Sequence, residues 1–61
     1  MPFVNIKMYK GRSKKQKMEI ANRITEAIHE VAGVPKEHIW VVFEDIPKSE
    51  WAIGGKLGEE D

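Results

Sequence analysis

One amphipathic helix lies between two strand-like segments, and this order constrains the fold more than any other feature of the chain. Ile20, Ala21, Ile24, Ala27, Ile28 and Val31 recur at helical spacing and form one apolar stripe. Ser13, with Gln16 three residues on, matches a capping box, in which hydroxyl and amide satisfy the first free backbone donors. Gly33 stands where a helix needs a left-handed terminating residue, and Pro35 prevents continuation. These signals predict a helix over residues 13–32, with the stripe as core rather than as a cofactor-binding surface.

Residues 3–9 read as a strand. Val4, Ile6 and Met8 alternate with Asn5 and Lys7, so the apolar set shares one face, and Phe3 falls on the other. Lys10, Gly11 and Arg12 form the turn into the helix. A second strand is expected over residues 39–45, where Ile39, Trp40, Val41, Val42 and Phe43 are apolar on both faces. Such a run predicts a strand covered on both sides, as in a parallel sheet. A strand, helix, strand order with a crossover of this length gives parallel pairing through a right-handed connection. Residues 46–50 read as a loop, and Trp51, Ala52 and Ile53 before Gly54 and Gly55 predict a short hairpin over residues 51–56. Residues 57–61 are expected to be loosely ordered. The fold class is therefore α+β: a βαβ unit with a two-stranded parallel sheet, one long helix and a C-terminal hairpin, in a single domain spanning residues 1–61.

Two strands are not stable alone. A domain near 60 residues buries only about 60% of the surface of its unfolded chain, so small scaffolds recruit disulfides, a metal or partner subunits. The chain has no cysteine. His29 and His38 lie nine residues apart on different expected elements, with no close third ligand to complete a metal set. Association of copies remains, with the sheet extended across a subunit boundary. Ten basic residues cancel ten acidic ones, which argues against a nucleic-acid binder. The placement is uneven. Lys7, Lys10, Arg12, Lys14, Lys15 and Lys17 load the first third, and Glu59, Glu60 and Asp61 form an acidic tail. The basic run is either a solvated surface or a field that attracts small anions. No apolar run is long enough to span a membrane and no signal peptide is visible, so the expected location is the cytoplasm.

Met1-Pro2 is a processing signal, because aminopeptidases remove an initiator Met when a small residue follows. The product is a secondary amine on a rigid ring. An α-amino group titrates near 8. Burial and neighbouring cations both disfavour the ammonium form, and Arg12, Lys7 and a tryptophan wall could supply these effects. An amine so tuned could shuttle protons near neutral pH.

The whole chain resembles the 4-oxalocrotonate tautomerase family. The matching residues are Met1-Pro2 before a strand, Gly11-Arg12-Ser13 before a helix, Gln16-Lys17 in its first turn and Thr25-Glu26-Ala27-Ile28 in its middle. The match continues through an apolar second strand and Trp51 shortly before Ile53-Gly54-Gly55. The resemblance implies a tautomerase-like fold whose sheets are completed by dimerisation, most often as a homohexamer made of dimers. It implies a cofactor-independent isomerase in which Pro2 is the base that moves a proton between an enol oxygen and a carbon of a 2-hydroxydienoate or enol-acid substrate. It assigns Arg12 to a substrate carboxylate, which suits a guanidinium, and Trp51 to the pocket wall.

One departure stands out. The founding members carry a second arginine early in the second strand, supplied by a neighbouring subunit; here that position is Trp40. An indole N–H donates one hydrogen bond and has no charge. Losing a charged contact of about 1.5–3 kcal/mol predicts weak activity on dicarboxylates and a preference for acids with one carboxylate and an aromatic or alkyl end, such as phenylenolpyruvate. Lys7 and Lys48 are candidate replacements for the missing charge. Two alternatives stay open: hydration or dehalogenation of an unsaturated acid, for which Glu44, Asp45 and Glu50 are nearby carboxylates, and a non-catalytic oligomer that keeps the fold.

Overall fold

The structure is a computed structural model that describes residues 2–58. Met1 and residues 59–61 lie outside the described residues, and with them the state of Met1 and the acidic tail. Strand β1 (Phe3–Tyr9) alternates between exposed and half-buried positions along its whole length. Gly11, at φ 123°, turns the chain out of β1 in a conformation that L side chains rarely adopt. Helix α1 (Lys14–Ala32) follows, with Ser13 as its N-cap and a complete capping box: the Ser13 hydroxyl accepts the Gln16 N–H at 3.1 Å, and the Gln16 amide oxygen accepts the Ser13 N–H at 3.0 Å. Gly33, at φ 72°, closes the helix by donating its N–H to the His29 carbonyl. The His29 ring contacts the Val34 carbonyl through Nδ1 at 2.7 Å, which ties the helix end to the next segment.

Strand β2 (Trp40–Ile46) pairs in parallel with β1, from Phe3 opposite Trp40 to Tyr9 opposite Ile46. Its limits differ from the expected 39–45 for a backbone reason. A 3-10 turn over Lys36–His38 uses the Ile39 N–H for a bond to the Lys36 carbonyl, so pairing begins at Trp40, whose N–H donates to the Pro2 carbonyl at 3.1 Å. At the far end the ladder reaches Ile46, whose carbonyl accepts the Lys10 N–H, and stops at Pro47, which has no N–H to give. Ile46 is thus strand rather than loop, and Lys48–Glu50 form a second 3-10 turn. Strands β3 (Ala52–Ile53) and β4 (Lys56–Leu57) form an antiparallel hairpin around Gly54 and Gly55. Leu57, expected to be loose, pairs with Ala52, and the Gly58 N–H reaches the carbonyls of Lys48 and Trp51.

Helix α1 covers one face of the β1–β2 sheet. Val4, Ile6, Met8, Val41 and Phe43 share that face, and the Lys17–Asp45 ion pair links helix to sheet on the same side. Ile20, Ala21, Ile24 and Ile28 are half-buried against it, and Ile39 is the only buried apolar residue among those described, at 8% exposure. Two expected core residues are not covered: Ala27 is exposed and Val31 is 88% exposed. Strands about 4.8 Å apart make a platform narrower than a helix about 10 Å across, so one edge of the stripe overhangs it.

The opposite sheet face is also open. Phe3, Trp40 and Val42 are 60%, 53% and 38% exposed, where the sequence predicts a strand covered on both sides. The chain exposes 4996 Å² in all. A folded monomer of its 7.0 kDa mass would expose about 4,000 Å². Among the described residues no helix is long and apolar enough to cross a membrane.

Candidate active site

Parallel pairing places the two ends of β1 in different surroundings. At its head, Pro2 is half-buried and hydrogen-bonded through its carbonyl to Trp40, the first residue of β2. The Phe3 and Trp40 side chains stand side by side on the open sheet face. At its foot, the chain turns at Gly11 and presents Arg12 just before the N-cap of α1. Arg12 is exposed and enters none of the ion pairs among the described residues. The first helical turn holds no acidic residue to oppose it. Its surroundings are therefore favourable to an anion, through the guanidinium and the free helix N–H groups together.

Trp51 also lies at the foot of β1. Its ring packs against Tyr9, the last residue of β1, at 4.9 Å between centroids and 60° between planes. The Lys48 ammonium sits 5.6 Å from the centre of the Tyr9 ring, a cation–π contact. Gly58 locks the base of the hairpin to Lys48 and Trp51, so the indole is held from both sides of the chain. Beside it opens a cavity of about 340 Å³ lined by Lys7, Ile46, Glu50, Trp51 and Ala52.

The electrostatics of this cavity were hidden in the sequence. Lys7 donates to Glu44 at 2.7 Å and to the Asn5 side-chain oxygen at 3.1 Å. The Lys7 ammonium, and after it the Asn5 amide, hold the Glu44 carboxyl below its ordinary value. Lys7 is therefore paired with a carboxylate within its own chain. Lys48 is engaged with Tyr9. Of the three carboxylates named for water activation, Glu44 is paired with Lys7 and Asp45 with Lys17, which leaves Glu50 in the cavity wall.

The four expected site residues do not meet in one chain. A strand of seven residues spans about 20 Å. Pro2 and Trp40 lie at one end of that length, with Arg12 and Trp51 at the other. Tyr9 was missed by sequence reasoning, and Glu50 was named only among three carboxylates for water activation. Tyr9 carried no signal, since its partner Trp51 is remote in sequence.

The family model described as tautomerase enzyme matches residues 2–60. A protein of Bacillus cereus described as a probable tautomerase is 43% identical over 56 residues, 92% of each chain. The 2-hydroxymuconate tautomerase of Comamonas testosteroni is 38% identical over 60 residues, 98% of this chain and 95% of that one. Among solved structures, YwhB, a homologue of 4-oxalocrotonate tautomerase, superposes with a TM-score of 0.87 at 38% identity, covering 92% of both chains. A heterohexamer 4-oxalocrotonate tautomerase from Chloroflexus aurantiacus superposes at 0.86 with 30% identity, covering 93% of this chain and 92% of that one.

Proposed function

The chain belongs to the tautomerase family and is an isomerase, and on that premise we propose that it interconverts enol and keto acids with the amine of Pro2 as the base. With Met1 removed, the Pro2 nitrogen takes the proton from the enol hydroxyl of a 2-hydroxydienoate. The electron pair moves through the dienol, and the ring ammonium returns a proton to carbon, so the amine is regenerated. Arg12 holds the substrate carboxylate. Its freedom from the ion pairs that engage Lys7, Lys17, Arg23 and Lys36 supports this role. Trp51 forms the wall of the pocket and, by excluding water, lowers the basicity of Pro2 toward neutral pH.

The observation that carries the assembly is the separation of these groups along β1. No bend of one chain brings Pro2 to Arg12 and Trp51, but further copies do: one paired antiparallel along the sheet edge sets the head of one sheet against the foot of the other, and others pack on the open sheet face. Phe3, Trp40 and Val42 then become interface residues, and the missing cover of the sheet is supplied. We propose a homo-oligomer, with a hexamer built from dimers as its expected form; the Chloroflexus neighbour is described as a heterohexamer. Trp40, beside Pro2, brings an uncharged wall where the founding members of the family carry an arginine. It favours substrates with one carboxylate and an apolar end.

Intact-protein mass spectrometry comes first, since an acylated Pro2 nitrogen has no basicity. On protein shown to lack Met1, Pro2→Ala should lower kcat for ketonisation of phenylenolpyruvate by about 100-fold to 10,000-fold, the usual contribution of a positioned base. Unchanged ketonisation in that variant would remove Pro2 from the mechanism.

A further inference from the structure

The cavity beside Trp51 carries a carboxylate that the proposed mechanism does not use. Glu50 lines it together with Lys7, Ile46 and Ala52. Glu50 enters none of the ion pairs of the described residues, whereas Lys7, the cation in the same wall, is offset by Glu44 at 2.7 Å. The cavity wall therefore presents an apolar indole and one carboxylate outside the ion pairs of the described residues, while the Lys48 ammonium nearby lies against the Tyr9 ring.

We propose that Glu50 is a specificity-determining residue that discriminates against substrates with a second carboxylate. This inference rests on the reading that the cavity beside Trp51 receives the substrate. A monoacid anchors its carboxylate on Arg12 and places an uncharged end against Trp51. A diacid brings a second negative charge into the region of Glu50, where the cation of the wall, Lys7, is already paired with Glu44. This repulsion is distinct from the loss of attraction at Trp40, because it comes from a charge that is present rather than from one that is missing, and different substitutions remove the two. At a separation of about 6 Å in a rim open to water, one unit charge changes the selection between a monoanion and a dianion by about threefold to tenfold.

The experiment is a charge series at this position, read as the ratio of kcat/KM for 2-hydroxymuconate to kcat/KM for phenylenolpyruvate at low ionic strength. Glu50→Asp keeps the charge, Glu50→Gln removes it and Glu50→Lys reverses it. The expected ratio stays near the parent value in E50D, rises about threefold to tenfold in E50Q and rises by a similar further factor in E50K. The steps should shrink in 0.5 M salt, where screening acts over about 4 Å. A ratio that does not follow charge, or that falls in E50Q, overturns the inference. Glu50 is exposed, so these variants keep the packing of the hairpin. Trp51→Ala in the same assays separates the two claims. If it leaves kcat/KM for both substrates unchanged, the cavity is not the substrate site and the underlying reading fails. If it lowers them while the charge series is flat, only the role of Glu50 fails.

Discussion

Replacing Val42 by aspartate should prevent the chain from folding at concentrations where the parent is folded. Val42 lies on the sheet face opposite α1, and with Phe3 and Trp40 it leaves on the order of 300 Å² of apolar surface uncovered, taking ordinary side-chain areas with their exposures of 38%, 60% and 53%. Covering that surface is worth about 7 kcal/mol per subunit as an upper figure. Aspartate at this position removes about 1.5 kcal/mol of that gain and places a carboxylate between copies with no cation in register. The strand partner of Val42 is Asn5, and the Lys7 ammonium is committed to Glu44. Withdrawing an unpaired carboxylate from water costs several kcal/mol more. Each 1.4 kcal/mol is tenfold, so association should weaken by more than about 1,000-fold. Because only Ile39 is buried among the described residues, a released copy has too little core to stay folded. Sedimentation velocity and far-ultraviolet circular dichroism at micromolar concentration should show a small species without helix for V42D, and Val42→Ile should behave as the parent. A V42D protein with the parent's sedimentation coefficient and melting temperature, or a parent that stays a folded monomer on dilution, would refute the reasoning.

Trp40→Arg should raise kcat/KM for 2-hydroxymuconate by about tenfold to hundredfold, the worth of one charged hydrogen bond, with a smaller change for phenylenolpyruvate. Acid stability should depend on Glu26 and Glu44, whose carboxyls are held below the ordinary 4.5 chiefly by hydrogen bonds from Lys36 and Lys7. Their folded-state values are depressed, so the stabilisation is present above the unfolded value and is lost as pH falls through the folded one. Denaturant midpoints measured from pH 6 downward should therefore fall less steeply in Glu44→Gln than in the parent. In Gly58→Ala the new Cβ would lie 2.7 Å from the Lys48 carbonyl oxygen, closer than atoms pack. The hairpin must shift, and a loss of about 1–3 kcal/mol with altered Trp51 fluorescence is expected.

The parts that could be read from the amino-acid order depend on near neighbours in the chain. Ser13 and Gln16 cap the helix within one turn, Gly33 ends it by its own backbone freedom, and the alternation of Val4, Ile6 and Met8 names the face that α1 covers. Parallel pairing follows from strand order and crossover length, and the family resemblance rests on motifs whose spacing is local or nearly so. What lies within one residue of a boundary was harder, since Ile39 and Ile46 were settled by which backbone groups the adjacent 3-10 turn and proline left free.

Charge and contact at the site required the folded chain. Lys7 reads as an available cation until the register sets it opposite Glu44, and Glu50 is one acid among ten until the hairpin folds it into the cavity wall with Trp51. The Tyr9–Trp51 pair joins the two ends of the chain, and no local pattern encodes it. The overhang of Val31 and the open face of Trp40 show the same division. Periodicity marks a side chain as apolar and gives its direction, but the width of the surface it meets is a tertiary quantity, and here that surface is only two strands wide.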